Sequence, residues 1–291
     1  MRAFFQYFLT YWRQSSRTAF WLTVSFLGML IALNYTIGIE GRIKGLGPWW
    51  VQWACFAGFY AVVMAVAWGV QRTAMPVGLL RLLALAPLYF AAKIVHWDLS
   101  GYWGLVLQWP AKLLLLLGIL WTVWKAGWLG EQSGFGEALG LTTKGFRAGP
   151  YFGLLLLLVP VVALASTQPD FLRVYPRVTH VAAINEYPGP LWLREGGYEL
   201  SYGLDFLSIE LFFRGLLVIA VARYAAEKAI LPMAALYCTI HFGKPLGECL
   251  TSFVGGLALG VLAYRTRTIV GGLIVHLGLA WLMEAGGACA L

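Results

Sequence analysis

The chain has 291 residues, 60% of them hydrophobic and only 12% charged. Soluble domains sit near half apolar and about a quarter charged, so this composition, with a mean hydropathy of +0.74, excludes an ordinary soluble protein. The formal charge of +8 reflects the basic bias of cytoplasmic loops in membrane proteins, and nucleic acid is not an expected partner. The expected fold class is all-α, a multi-pass transmembrane helical bundle of about eight to nine spans.

In chain order, the opening MRAFFQYFLTYWRQSSR carries aromatics and three arginines. It suits a helix lying on the cytoplasmic membrane surface and lacks the apolar core and cleavage site of a signal peptide. A span takes roughly 20 apolar residues. Candidates are Thr18–Ile37, Trp49–Val70, Leu79–Ala92, Tyr102–Trp124 and Tyr151–Ser166, then Tyr202–Ala222, Ala229–Phe242, Leu250–Tyr264 and Thr268–Ala285. With the N-terminus inside, 12 Lys and Arg fall on the inner side (Arg2, Arg13, Arg17, Arg72, Arg81, Lys125, Lys144, Arg147, Arg223, Lys228, Arg265, Arg267). Seven fall outside (Arg42, Lys44, Lys93, Arg173, Arg177, Arg194, Lys244). The excess places the N-terminus in the cytoplasm of a plasma-membrane protein.

Three regions follow: N-terminal transmembrane helices over 1–166, a Pro-rich extramembrane loop over 167–199, and a C-terminal transmembrane core over 200–291. Before the loop the one charge expected inside a span is Lys112. Cys55, Cys238, Cys249 and Cys289 form no CxxC and imply no disulfide framework. His96 and His180 lie in connections and are expected in solvent.

Ionisable side chains inside spans are costly and usually face a bundle interior or a wet cavity. The last region holds Asp205, Glu210, Arg214, His241, His276 and Glu284. At about 100° per residue, Glu210 and Arg214 lie about 40° apart on one helix face and reach each other. Asp205, about 140° from Glu210, points elsewhere. His241 ends one span just before Gly243 and Pro245, and His276 lies inside the last span. One carboxylate and two imidazoles on three helices can activate a water, hold an oxyanion or bind a metal. Burial raises the pKa of a carboxylate, which suits a general base near neutral pH. The bland reading makes Glu210–Arg214 an ion pair that locks the bundle and His276 a helix-to-helix hydrogen bond. Asp205 and Glu284 are read as structural or interfacial.

The segments IELFFRGLL, YCTIHF and IVHLGLAW resemble the three signature motifs of the CPBP intramembrane protease family, which includes CAAX endopeptidases and Abi-type proteins. The likeness covers roughly residues 202–285. The family's EExxxR-Gly becomes Ile209-Glu210 through Arg214-Gly215, its aromatic-xxx-His becomes Tyr237 to His241, and its HxxxN becomes His276 to Ala280. Two positions depart: Ile209 replaces the first glutamate and Ala280 the terminal asparagine.

The resemblance implies an intramembrane endopeptidase that hydrolyses a peptide bond with a glutamate-activated water. Glu210 would be the base and Arg214 its anchor, with His241 and His276 at the water and oxyanion. Glu248, in HFGKPLGE, would support the site, since that segment resembles bacterial members. No cofactor is required, or a divalent metal such as zinc sits on His241, His276 and Glu210. The expected partners are a peptide or protein substrate and the lipid bilayer. The alternatives are an inactive member acting as scaffold or immunity-type protein, and a small proton-coupled transporter.

Overall fold

The computed structural model describes residues 2–95, 97, 99–129, 134–144 and 146–290, and His96 lies outside these. Among the described residues there is no strand. A surface helix α1 (Arg2–Gln14) precedes α2 (Arg17–Ile37), whose start is capped by the Ser16 hydroxyl accepting from the Ala19 N–H. A short α3 (Ile39–Lys44) leads to α4 (Trp49–Gly69), α5 (Val77–Ile94) and α6 (Gly101–Lys125). Then come α7 (Phe135–Ala138), α8 (Ala148–Ala165) and α9 (Pro169–Leu172). Helix α10 (Leu191–Glu210) runs without a break into a π-helical stretch, Leu211–Ala220. After α11 (Ala222–Ala225), α12 (Ile230–Thr239), α13 (Leu246–Thr266) and α14 (Val270–Ala290) complete the bundle.

Among the described residues, seven helices (α2, α4, α5, α6, α8, α13 and α14) are long and apolar enough to cross a membrane. Two of the nine expected spans differ from these. The Tyr202–Ala222 segment is the α10–π run, which carries Arg194, Glu195, Glu199, Asp205 and Glu210. The Ala229–Phe242 segment forms only the ten-residue α12, about 15 Å long at 1.5 Å per residue, half of a roughly 30 Å hydrocarbon core. Outward faces carry exposed Leu114, Leu156, Leu164 and Val254, with Trp49, Trp50 and Trp192 exposed near helix ends. Such an apolar surface suits lipid rather than water.

The π-helical stretch is the centre of the bundle, with all ten of its residues buried. It packs against α12 and α13, while α10 packs against α6 and α14. Gly215 has a steric reason: a Cβ there would stand 2.9 Å from the Leu139 carbonyl oxygen.

Charge placement corrects two expectations. Lys93, counted outside, is buried, so the outer count falls to six (7 − 1). Lys112 is therefore not the one charge buried in the first half. The Lys93 ammonium lies 2.6 Å from Asp205 Oδ1 and donates to Ser208 Oγ. His180 is exposed, and the four cysteines are free thiols.

Candidate active site

Glu210 ends α10 and Arg214 lies one turn on, in the π-helical stretch, where Val221 N–H reaches back five residues to the Leu216 carbonyl. The i→i+5 pattern widens the turn, so four residues bring side chains closer to register than in an α-helix. Both side chains are fully buried, with Arg214 Nη1 3.0 Å from Glu210 Oε1. The N–H groups are not aimed for hydrogen bonds, so this contact is an ion pair. No guanidinium nitrogen has a hydrogen-bond partner among the described residues. Arg214 Cζ lies 4.4 Å from the Tyr237 ring centroid, a cation–π contact.

Helix α14 supplies the third group. Its Gly272 lies against the carboxylate, since a Cβ there would stand 2.5 Å from Glu210 Oε2. One turn later His276 Nδ1 is 3.1 Å from Glu210 Oε1. The Phe206 ring meets the imidazole edge to face at 4.7 Å. His276 Nε2 lies 3.0 Å from the Tyr237 hydroxyl. Glu210 Oε1 is thus shared by Arg214 and His276, whereas Oε2 is buried without a hydrogen-bond partner among the described residues.

His241 follows α12 in the turn that leads to Gly243, whose φ of +83° suits glycine. His241 Nδ1 lies 2.9 Å from the Tyr237 carbonyl oxygen. A carbonyl only accepts, so Nδ1 carries the proton and Nε2 keeps a lone pair. Both histidines are half-buried, unlike Glu210 and Arg214.

Residues 203–282 match the family model for type II CAAX prenyl endopeptidase Rce1-like proteins. The match covers 80 of the 291 residues, so the likeness to that family belongs to this segment of the chain. No curated protein and no solved structure matches it. The matched segment runs from the middle of α10 into α14 and contains Glu210, Arg214, His241 and His276. At its two departures, Ile209 packs against the main apolar core, and Ala280 is buried with Tyr198, Tyr202 and Phe206.

Of the residues singled out in the sequence, Glu210, Arg214 and His276 touch directly, and His241 joins them through Tyr237. Glu248 lies apart from them, on the first turn of α13. Its carboxylate is 3.7 Å from Lys244 Nζ and accepts from the Tyr175 hydroxyl at 3.4 Å. It thereby ties the strap between α9 and α10 to the turn behind His241. Burial lowers the pKa of Lys244, and Glu248 pulls it back up. Glu284 also holds the strap, accepting the Arg177 backbone N–H at 2.8 Å.

Sequence reasoning used Tyr237 only as the motif's aromatic. Its spacing, four residues before His241 on one helical face, was the available signal for a closer role. Among the described residues, no group of three His, Cys, Asp or Glu side chains is placed to hold a metal ion. Both His276 nitrogens already face protein partners. As arranged, His276 offers zinc no free nitrogen.

Proposed function

We propose that this protein is an intramembrane endopeptidase in which Glu210 is the general base. The observation that carries the reading is the asymmetry of one buried carboxylate. Oε1 is fixed by Arg214 and His276, while Oε2 has no hydrogen-bond partner among the described residues. A water held by Oε2 and the lone pair of His241 Nε2 attacks the peptide carbonyl carbon and gives its proton to Glu210. Collapse of the tetrahedral intermediate breaks the C–N bond, and Glu210 returns the proton to the leaving amine. Arg214 orients Glu210 through Nη1, and its other N–H groups are buried donors available to the oxyanion. With Nδ1 on Glu210 and Nε2 on Tyr237, His276 serves to hold the carboxylate more than to touch the oxyanion.

The substrate is a peptide or protein segment reaching the site from the half-buried histidine side. The protein resides in the plasma membrane with its N-terminus in the cytoplasm, and no cofactor is required. The domain match to an endopeptidase family and the site geometry support this reading together.

A second reading has its own observation. Ile209, at the family's first glutamate position, is packed into apolar core, as it would be in a member that kept the fold as a scaffold. Cleavage of a mixed peptide library by purified protein in detergent, wild type against Glu210→Gln, separates the two. Cleavage lost in a folded mutant supports the protease. Cleavage that survives removes Glu210 as base, and no cleavage by either protein favours the scaffold.

A further inference from the structure

Tyr237 touches three of the four groups of the site: His276, Arg214 and His241. Its hydroxyl faces His276 Nε2 at 3.0 Å, its ring lies under the Arg214 guanidinium at 4.4 Å, and its backbone carbonyl holds His241 Nδ1 at 2.9 Å. The side chain is buried and braced edge to face by Phe213 at 5.1 Å. Gly256 makes room for it, because a Cβ there would stand 2.9 Å from Tyr237 Cδ1.

The ring contacts and the carbonyl contact would survive replacement by phenylalanine. The hydroxyl contact would not, so its purpose needs its own explanation. Glu210 is paired with Arg214 and, as a carboxylate, only accepts. His276 Nδ1 therefore carries the proton that faces Oε1. A neutral imidazole then has one lone pair, on Nε2, and the group placed against that lone pair is a phenol that can donate.

We propose that Tyr237 is a positioning residue whose hydroxyl donates to His276 Nε2 and fixes the ring as the Nδ1–H tautomer. The tautomer keeps an N–H aimed at Glu210 Oε1, which leaves Oε2 as the free oxygen of the carboxylate. Without the phenol, the Nε2–H tautomer gains ground. Its Nδ1 lone pair then faces a carboxylate oxygen, and the pair separates. The position of Glu210 thus depends on a hydroxyl that never touches it.

The kinetic consequence rests on the endopeptidase reading, but the tautomer does not. The first experiment is nitrogen NMR of full-length protein in micelles with 15N-labelled histidine, the His276 signals being assigned by their loss in His276→Gln. The expected wild-type result is a protonated Nδ1 and an unprotonated Nε2, with Tyr237→Phe shifting the ring toward a tautomer mixture. A wild-type ring protonated at Nε2, or a tautomer unchanged in a folded Tyr237→Phe, overturns the proposal. The wild-type spectrum alone decides if the variant does not fold. The second experiment measures cleavage: Tyr237→Phe lowers kcat roughly tenfold, the size of one lost hydrogen bond, with KM unchanged. An unchanged kcat in a variant whose tautomer has shifted also overturns the positioning role. A wild type that cleaves nothing defeats the endopeptidase reading while the spectrum still tests the tautomer.

Discussion

Gly272 and Glu210 meet so closely that α14 has no space for a Cβ at this point: one would stand 2.5 Å from Glu210 Oε2. Oε2 is the oxygen with no hydrogen-bond partner among the described residues. The glycine therefore does two things. It lets α14 bring His276 against Oε1, and it keeps a methyl group from colliding with Oε2. Gly272→Ala is expected to abolish cleavage while costing about 1–3 kcal/mol of stability, as overpacking does. Gly255→Ala is the control. A Cβ there meets nothing within 4 Å, and losing a helical glycine stabilises by about 0.5–1 kcal/mol. Detergent thermal unfolding and cleavage, measured together, check both. Full activity in Gly272→Ala would detach this close approach from the chemistry.

Arg214 and Glu210 form a fully buried pair, and its value lies in both partners being present. Removing one leaves an uncompensated charge in the bundle, which costs about 3–5 kcal/mol. Arg214→Met and Glu210→Gln are each expected to lower the unfolding midpoint, and the double variant to lose less than the sum of the two. Arg214→Lys keeps the charge but loses the planar face over the Tyr237 ring, so its midpoint should fall between wild type and Arg214→Met. Additive losses in the double-mutant cycle would mean that the pair is not coupled in solution.

The metal question has a direct test, because both His276 nitrogens face protein partners. Cleavage is expected to survive exhaustive treatment with EDTA and phenanthroline. Inactivation that added zinc reverses would contradict the side-chain arrangement at His276.

The strap between α9 and α10 is held at points that can be cut separately from the site. The Arg177 Nη1 donates to the Tyr202 hydroxyl at 3.2 Å, and its guanidinium lies 4.8 Å from the same ring. Arg177→Ala should speed hydrogen exchange across residues 171–187 and leave exchange in α12 unchanged. Matching acceleration in both would mean that the strap and the core open as one unit.

The helical half of this site was legible because it depends on spacing within one helix. Glu210 and Arg214 four residues apart declare a shared face, and the ordered motifs bring His241 and His276 into the same region. The angular argument also turned Asp205 away from Glu210, and it does face α5 instead. The sequence did not reveal what depends on partners from distant helices. Lys93 sits near the end of α5, where a lysine reads as a flank of the span, and only the packing of α10 on α5 shows it buried. The π-helical stretch is equally silent, since its residues would suit an α-helix. Tyr237 read only as the motif's aromatic because its hydroxyl acquires meaning only when α14 places His276 against it.

Lys93 and Asp205 supply a last test, because a lysine donating to a buried serine also resembles a nucleophile with its base. The geometry argues against that chemistry. Lys93 Nζ is engaged by Asp205 Oδ1 at 2.6 Å, and the Ser208 hydroxyl donates to the Asp205 carbonyl at 2.8 Å, not to Lys93. Ser208 is fully buried, on the face of α10 turned away from Glu210. The cluster therefore holds α5 to α10. Asp205→Ala should cost about 3–5 kcal/mol by stranding Lys93, and Lys93→Met with Asp205→Leu should recover most of the loss. Ser208→Ala should leave cleavage unchanged. Loss of cleavage in a folded Ser208→Ala, with Glu210→Gln still active, would move the chemistry from Glu210 to this cluster.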